Sequence, residues 1–299
     1  MRNINKITKI TRFAIFFAVT LLVFYFIFQK VDYRSLGEVL LNANLFYLAI
    51  GFLLIFLALI FSAKKWQVLI KAMGYSLGWK ESLGIVMAAY PVSVVTPAKS
   101  GDLIRAYYLR DKIPKIQTAG AVVVERFVDV SILAFYSLIG GVIFKNGLVL
   151  AVSLSILFLI PLFFIVVNKV RLPLGRWREK IESFLYISKI FIHQPQKLLP
   201  VLFYASIVWL APIFEAKILF LALGVDIPLF YIAAAFPLAI FVSLIPITIA
   251  GMGTRDSAII YLFSSWASPS VCLGVGFLYA LFAYWFLALI GLPIMKKLL

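Results

Sequence analysis

Apolar residues along this chain run in blocks about as long as a bilayer is thick, and polar positions fall between the blocks or at two breaks inside them. Uninterrupted runs lie near residues 13–28, 45–62, 117–143, 148–168, 199–222 and 271–295. Each approaches the roughly 20 residues a helix needs to cross the hydrocarbon core, so the pattern predicts six spanning helices. Two further apolar stretches are interrupted. Segment 82–110 runs into Pro97, breaks at Lys99, Ser100, Gly101 and Asp102, and resumes around Arg105; segment 229–266 runs into Pro246, breaks at Gly251, Met252 and Gly253, and resumes after Arg255 and Asp256. A polar backbone tip is costly against lipid, so each segment predicts a re-entrant helical hairpin rather than a crossing. The expected fold is an all-α polytopic membrane protein, a single transmembrane domain over residues 1–299.

Composition fixes the environment: 64% of residues are hydrophobic and 13% charged, with a mean hydropathy of +1.06. The formal charge of +16 would otherwise suggest a nucleic-acid partner. Its placement excludes that reading. With the amino end inside, the basic residues of the N-terminal tail, of 64–80, 99–115 and 169–197, and Lys296 with Lys297 all fall on the cytoplasmic side, leaving Lys30, Arg34, Lys145, Lys217 and Arg255 outside. Both termini are therefore expected in the cytoplasm and the excess charge beside an anionic leaflet, as for a multi-pass plasma-membrane protein. The first run has basic residues before it and no small-residue cleavage site after it, so it reads as a retained anchor. This orientation makes residues 1–147 and 148–299 inverted copies, each with one hairpin, entering from opposite faces. The segments 66–79 and 216–229 align without gaps, placing Gly74 on Gly224 and Leu77 on Ile227. Between the halves, residues 175–192 carry Trp177, Phe184, Leu185 and Ile192 among basic residues, which predicts an amphipathic helix in the headgroup layer.

Charges inside the membrane are expensive and mark candidate function. Glu125 and Asp129 are four apart and share a helix face, and Arg126 lies three before Asp129, within pairing distance. At the hairpin tips, half-helices starting near Asp102 and Asp256 would direct positive ends toward mid-membrane, and Lys99, Arg105 and Arg255 would add donors for a phosphate. Asp102 and Asp256, like Ser100 and Thr254, fit ordinary helix caps. Lys64, Lys65 and Trp66 close the second run and fit an interfacial basic and aromatic belt. His193 and the single cysteine, Cys272, suggest no metal site, and no phosphate-binding loop or other cofactor motif is present.

A basic residue before Trp66, P-x-K-x-G-D-x-x-R at 97–105, E-R-x-x-D at 125–129 and G-M-G-T-R-D from Gly251 to Asp256 occur in this order across the hydropathy profile. Together they resemble the lysylphosphatidylglycerol synthase transmembrane region, a flippase-like domain also found as free-standing membrane proteins. The resemblance covers nearly the whole chain. It implies movement of a phospholipid or lipid-linked headgroup between leaflets, and it singles out Lys99, Gly101, Asp102, Arg105, Glu125, Arg126 and Asp129; Gly251, Gly253, Arg255, Asp256, Lys65 and Trp66 complete the expected substrate-binding set. Lys-Lys-Trp stands where Arg-Trp is common, and Asp256 where Glu is common. The soluble aminoacyl-transferring domain of the full synthases has no counterpart here, so no lipid aminoacylation is implied.

The leading expectation is a non-enzymatic translocase for an anionic phospholipid or a polyprenyl-phosphate-linked lipid. Its movement would be downhill, coupled to protons through Glu125 or Asp129, or driven by a partner such as a lipid-modifying enzyme or glycosyltransferase. Two alternatives stand beside it: a secondary transporter of a water-soluble anion, and an intramembrane enzyme acting on lipid phosphates.

Overall fold

A computed structural model describes residues 22, 25, 27, 29, 33–169, 178–244, 248 and 251–299. Most of the first apolar run, the Pro246 break and Trp177 lie outside these. Among the described residues the chain is helical, without strands. A short helix α1 (Tyr33–Leu41) leads into α2 (Leu45–Ala72), whose start is capped by Asn44, its side chain accepting from the Phe46 amide at 3.0 Å. Next come α3 (Trp79–Val95), a 3₁₀ segment over Pro97–Ile104, the one-turn α4 (Arg105–Tyr108), α5 (Lys115–Ile143) and α6 (Gly147–Lys169). The second half comprises α7 (Arg178–Phe184), α8 (Tyr186–His193), α9 (Leu199–Ala222), α10 (Leu229–Leu244), α11 (Thr254–Leu262) and α12 (Pro269–Ala280). A π-helical stretch over Leu281–Phe286 then joins α12 to α13 (Leu287–Leu298).

By length and composition, α2, α6, the Pro195–Ala222 helix containing α9, and the Pro269–Leu298 helix spanning α12 to α13 are long and apolar enough to cross a membrane. Helix α5 matches them in length, with 29 residues, but carries Glu125, Arg126 and Asp129 near its middle. The chain is therefore an all-α polytopic membrane protein.

Loop contacts sort the helix ends onto two faces. On one, Lys197 Nζ approaches the Ala72 carbonyl at 3.5 Å, Tyr186 Oη donates to the Met73 carbonyl, Tyr75 bonds Gln117, and Lys112 bonds Glu81 at 2.7 Å. On the other, the Asn44 amide donates to the Ala222 carbonyl at 2.8 Å, and the Phe144, Tyr231 and Trp266 rings pack together. Lys115 and Lys197 thus share one face, and Asp226 and Lys145 the other. Both ends of the 79–108 hairpin lie on the first face. Both ends of the 229–262 hairpin lie on the second, where Tyr231 Oη donates to the Leu262 carbonyl at 2.7 Å. Each segment thus begins and ends on one face, and the two segments start from opposite faces.

The core is the antiparallel pair α2 and α9, closed by Trp66, Leu69, Ile70, Leu219 and Phe220, all fully buried. Around it the packing repeats with the halves exchanged. Helix α3 lies on α13 and α10 on α5; α1 lies on α12 and α7 on α5. Helices α2 and α9 end alike, at Gly74 and Gly224 with φ of +89° and +82°. There the Tyr75 amide bonds the Ile70 carbonyl, and the Val225 amide bonds the Phe220 carbonyl. Gln67 and Lys217 side chains then donate to the Leu77 and Ile227 carbonyls.

Two expectations need correction. The second helix does not stop at an interfacial belt near Lys64; it continues through Trp66 to Ala72, because Lys65 finds carboxylates inside the protein. Nor does a half-helix start near Asp102. The return arm is a 3₁₀ segment and a single helical turn, too short for aligned peptide dipoles to accumulate. The linker between the halves forms two short helices broken at Leu185. Leu185, Ile187 and Phe191 face inward, and Ile192 is exposed.

Candidate functional site

The first hairpin tip is held by its own backbone. The Thr96 hydroxyl accepts from the Gly101 amide at 2.7 Å, and a Cβ on Gly101 would collide with the Val92 and Ser93 main chain. This close crossing requires glycine. It leaves Lys99 in the left-handed region, at φ 55°, a conformation that costs a side-chain-bearing residue of order 1 kcal/mol and persists only where surroundings enforce it. At the second tip Gly251, at φ +67°, packs equally closely on Ser243. Ser93 and Gly101 thus correspond to Ser243 and Gly251, and Arg105 corresponds to Arg255, at the same 150-residue spacing that relates Gly74 to Gly224.

Behind the first tip three cations meet three carboxylates. Lys65 Nζ lies 2.6 Å from Asp129 Oδ1 and 3.0 Å from Glu125 Oε1. Arg105 Nη1 donates to Glu125 Oε2 at 2.7 Å, and its Nη2 lies 3.4 Å from Asp102. Arg126 Nη2 reaches Asp129 at 3.2 Å, Asp102 at 3.5 Å and Glu125 at 3.6 Å. Ser93 Oγ completes the Asp102 shell at 2.6 Å, and the Arg105 guanidinium lies over Trp66 at 4.8 Å. Lys65, Arg105, Glu125, Asp102 and Asp129 are all buried. An isolated buried ion is far costlier than a matched set, so the six groups stabilise one another and tie α2, the first hairpin and α5 together. Lys65 and Trp66 thus belong to this cluster, not to an interfacial belt. Arg126 pairs with Asp129 as its spacing predicts, but as one contact among several.

The second half is organised differently. Arg255, fully buried, contacts a single Asp256 oxygen through Nε at 3.2 Å and Nη2 at 2.9 Å, and Nη2 also donates to the Gly276 carbonyl. The Asp256 carboxylate accepts from the Gly253 amide at 2.8 Å, so this aspartate is not the N-cap of α11 but its third residue, bonding back to the N-cap Gly253. Tyr279 and Tyr284 lie over the guanidinium at 4.9 and 5.7 Å. The π-helical stretch that carries Tyr284 is invisible to hydropathy, and such insertions occur often at functional sites.

One cavity of about 290 Å³ runs between the two tips. Lys65, Lys99, Asp102, Arg105, Arg126 and Asp129 line its charged side; Gly251 of the second tip also borders it. Ile55, Ala58, Leu133, Val208 and Leu244 form apolar walls. Among the described residues the Arg105 Nε and Arg126 Nε groups have no acceptor. Lys99 has no carboxylate partner among the described residues, and its Nζ sits over the Tyr284 ring at 4.6 Å. Arg255, Gly253 and Asp256 do not border the cavity; Arg255 lies behind Tyr279 and Tyr284, which do. The residue that sequence reasoning missed is Glu215, a buried acid on α9 that also lines the cavity. The 150-residue spacing that sets it opposite Lys65 was the signal available.

The lysylphosphatidylglycerol synthase TM region matches residues 11–291. The chain belongs to that family. It is also similar along most of its length to UPF0104 membrane proteins of three archaea. The protein of Methanocaldococcus jannaschii is 26% identical over 92% of each chain. That of Methanothermobacter thermautotrophicus is 22% identical over 86% of this chain and 87% of its own. The Archaeoglobus fulgidus protein is 24% identical over 86% and 88%. The chain spans most of the length of each of these relatives.

Proposed function

We propose that this protein moves a membrane lipid with an anionic phosphate headgroup between leaflets. The observation that carries this reading is the cavity itself: cationic donors without acceptors among the described residues gather on one side, and hydrocarbon lines the other. At about 290 Å³ it lies at the small end of ligand sites, large enough for a headgroup but not for two acyl chains. The tails would stay in the bilayer while Lys99, Arg105 and Arg126 hold the phosphate through charge-assisted hydrogen bonds. Gly101 and Gly251 would supply the tight turns, and Arg255 with Asp256 would support the second tip. Hairpins entering from opposite faces, with packing that repeats when the halves are exchanged, support an inverted repeat of 1–147 and 148–299. Each hairpin would then open the site to one leaflet. The basic bias of the face holding Lys115 and Lys197 supports both termini in the cytoplasm of a plasma-membrane protein.

The test uses proteoliposomes containing fluorescent phosphatidylglycerol, with leaflet exchange read by a membrane-impermeant quencher. A parallel arm follows uptake of inorganic phosphate. Lipid exchange that falls at least tenfold in Lys99→Gln and Arg105→Gln, without phosphate uptake, is expected. Phosphate uptake without lipid exchange would establish a solute carrier instead, and native mass spectrometry of the purified protein would identify the retained lipid.

A further inference from the structure

Two charges in the cavity are left over by the ion pairs. Lys99 is one. The other is Glu215, a residue 3% exposed that, among the described residues, forms no ion pair and whose Oε1 has no hydrogen-bond partner. Glu125 and Asp129 are held by two or more cations each, which removes them as sites for a mobile proton. Glu215 is not held in this way. Arg255, the cation acting on it, is committed to Asp256 and the Gly276 carbonyl, and its Nη1 has no partner among the described residues.

The charged and phenolic groups that share the cavity with Glu215 come from several elements. Helix α2 presents Lys65, α5 presents Arg126 and Asp129, and the first hairpin presents Lys99, Asp102, Arg105 and Tyr90. Tyr279 and Tyr284 come from the last helix, and Arg255 with Asp256 stands behind them; α10 contributes Ser243, while its Tyr231 donates to the Leu262 carbonyl at the hairpin's outer end. With Glu125 included, the cations Lys65, Lys99, Arg105, Arg126 and Arg255 match the acids Asp102, Glu125, Asp129, Asp256 and Glu215 one for one. That balance holds only while Glu215 is ionised. A phosphodiester headgroup brings one further negative charge, and an uncompensated charge in this buried space is strongly unfavourable.

We propose that Glu215 is the proton-binding site of the cavity, and that one proton enters with each anionic headgroup. This inference rests on the lipid-translocation reading above. Water on one face supplies the proton; the O–H bond forms on the Glu215 carboxylate as the phosphate engages Lys99, and it breaks toward water on the other face as the headgroup leaves. No net charge crosses, so movement should respond to a pH gradient and not to membrane potential.

The experiment uses full-length protein in phosphatidylcholine vesicles with fluorescent phosphatidylglycerol as probe and an internal pH dye. An acid-outside gradient of one pH unit should shift the probe toward the inner leaflet by up to about tenfold, the ratio one pH unit can sustain at one proton per lipid. A potassium diffusion potential should not shift it. In Glu215→Gln the pH gradient should leave the distribution unbiased, and the dye should report no lipid-dependent proton flux. A Glu215→Gln response equal to wild type would overturn the assignment. If that variant is not recovered folded, the wild-type comparison decides, since a response to potential but not to pH also overturns it. Wild-type exchange that ignores pH sinks this inference alone. Absence of any exchange sinks the translocation reading with it.

Discussion

Arg105 and Arg255 occupy matching positions in the two hairpins, 150 residues apart, and both are buried. The protein neutralises them in different ways. Arg105 is met by Glu125 from α5, within a set of six charges contributed by three chain segments. Arg255 is met by its own neighbour Asp256, one carbonyl and two tyrosine rings. The first arrangement joins separate helices, so a change at any member reaches the others; the second is local, and fixes the tip of one hairpin on the last helix. The first half therefore holds the electrostatic frame of the cavity, and the second supplies the aromatic floor and the unpaired acid.

The largest expected effect tests whether the first network is a unit. Glu125 is shared by Lys65, Arg105 and Arg126, so Glu125→Gln leaves three cations facing two carboxylates. Removing one partner from a buried ion pair costs about 3–5 kcal/mol, and thermal unfolding in detergent should show a loss of that size. Adding Lys65→Met restores equal numbers and should recover a large part of it. A double variant no more stable than Glu125→Gln alone would mean that Lys65 and Glu125 are not coupled.

Arg126 and Asp129 give a smaller version of the same test, because the Arg126 side chain is 29% exposed. Neutralising either should cost more than neutralising both, with a coupling energy of about 0.5–3 kcal/mol. Simple additivity would show that Arg126 spends its charge on the cavity rather than on Asp129.

The hydropathy of the chain makes the membrane class and both hairpins legible in the sequence, since a polar Gly/Pro break inside an apolar run has few solutions in lipid. What is not legible is what each charge faces. Lys65 looks like the end of a helix because a local window sees only Lys64, Lys65 and Trp66; its partners, Glu125 and Asp129, lie 60 and 64 residues further on. Asp102 looks like a cap for the same reason, although it accepts from Ser93 and pairs with two arginines. Glu215 escapes notice because it is one acid in an otherwise apolar helix, and a topology read from basic residues gives an acid no weight.

Backbone geometry at the two tips separates the halves next. Gly251→Ala places a Cβ at φ +67° and against Ser243, so a loss of about 1–3 kcal/mol is expected. Gly101→Ala meets main-chain atoms of Val92 and Ser93 without a positive φ. Relief by moving the α3 backbone would disturb Ser93 and Asp102, so its larger signature should be weakened retention of phosphatidylglycerol in native mass spectra. Equal effects of both substitutions on stability and lipid retention would erase this difference between the tips.

The smallest effect is the control for the whole electrostatic comparison. Lys112 and Glu81 pair at 2.7 Å, closer than the 3.0 Å that separates Lys65 from Glu125, yet their side chains are 56% and 37% exposed. At the surface water already solvates both charges, and holding two long side chains together costs conformational freedom, so such pairs contribute about 0–1 kcal/mol. Lys112→Gln should therefore shift the unfolding temperature little, while Lys65→Gln, which takes one cation from each of two buried carboxylates, should shift it by several times more. Raising the salt concentration should weaken the Lys112 contribution further and leave the Lys65 effect nearly unchanged, because mobile ions screen exposed charges and do not enter the helix core. Similar losses for the two lysines, or a salt-sensitive Lys65 effect, would show that water reaches the first network in the folded protein. The division between a first network sealed from bulk ions and the exposed Lys112–Glu81 pair would then no longer hold.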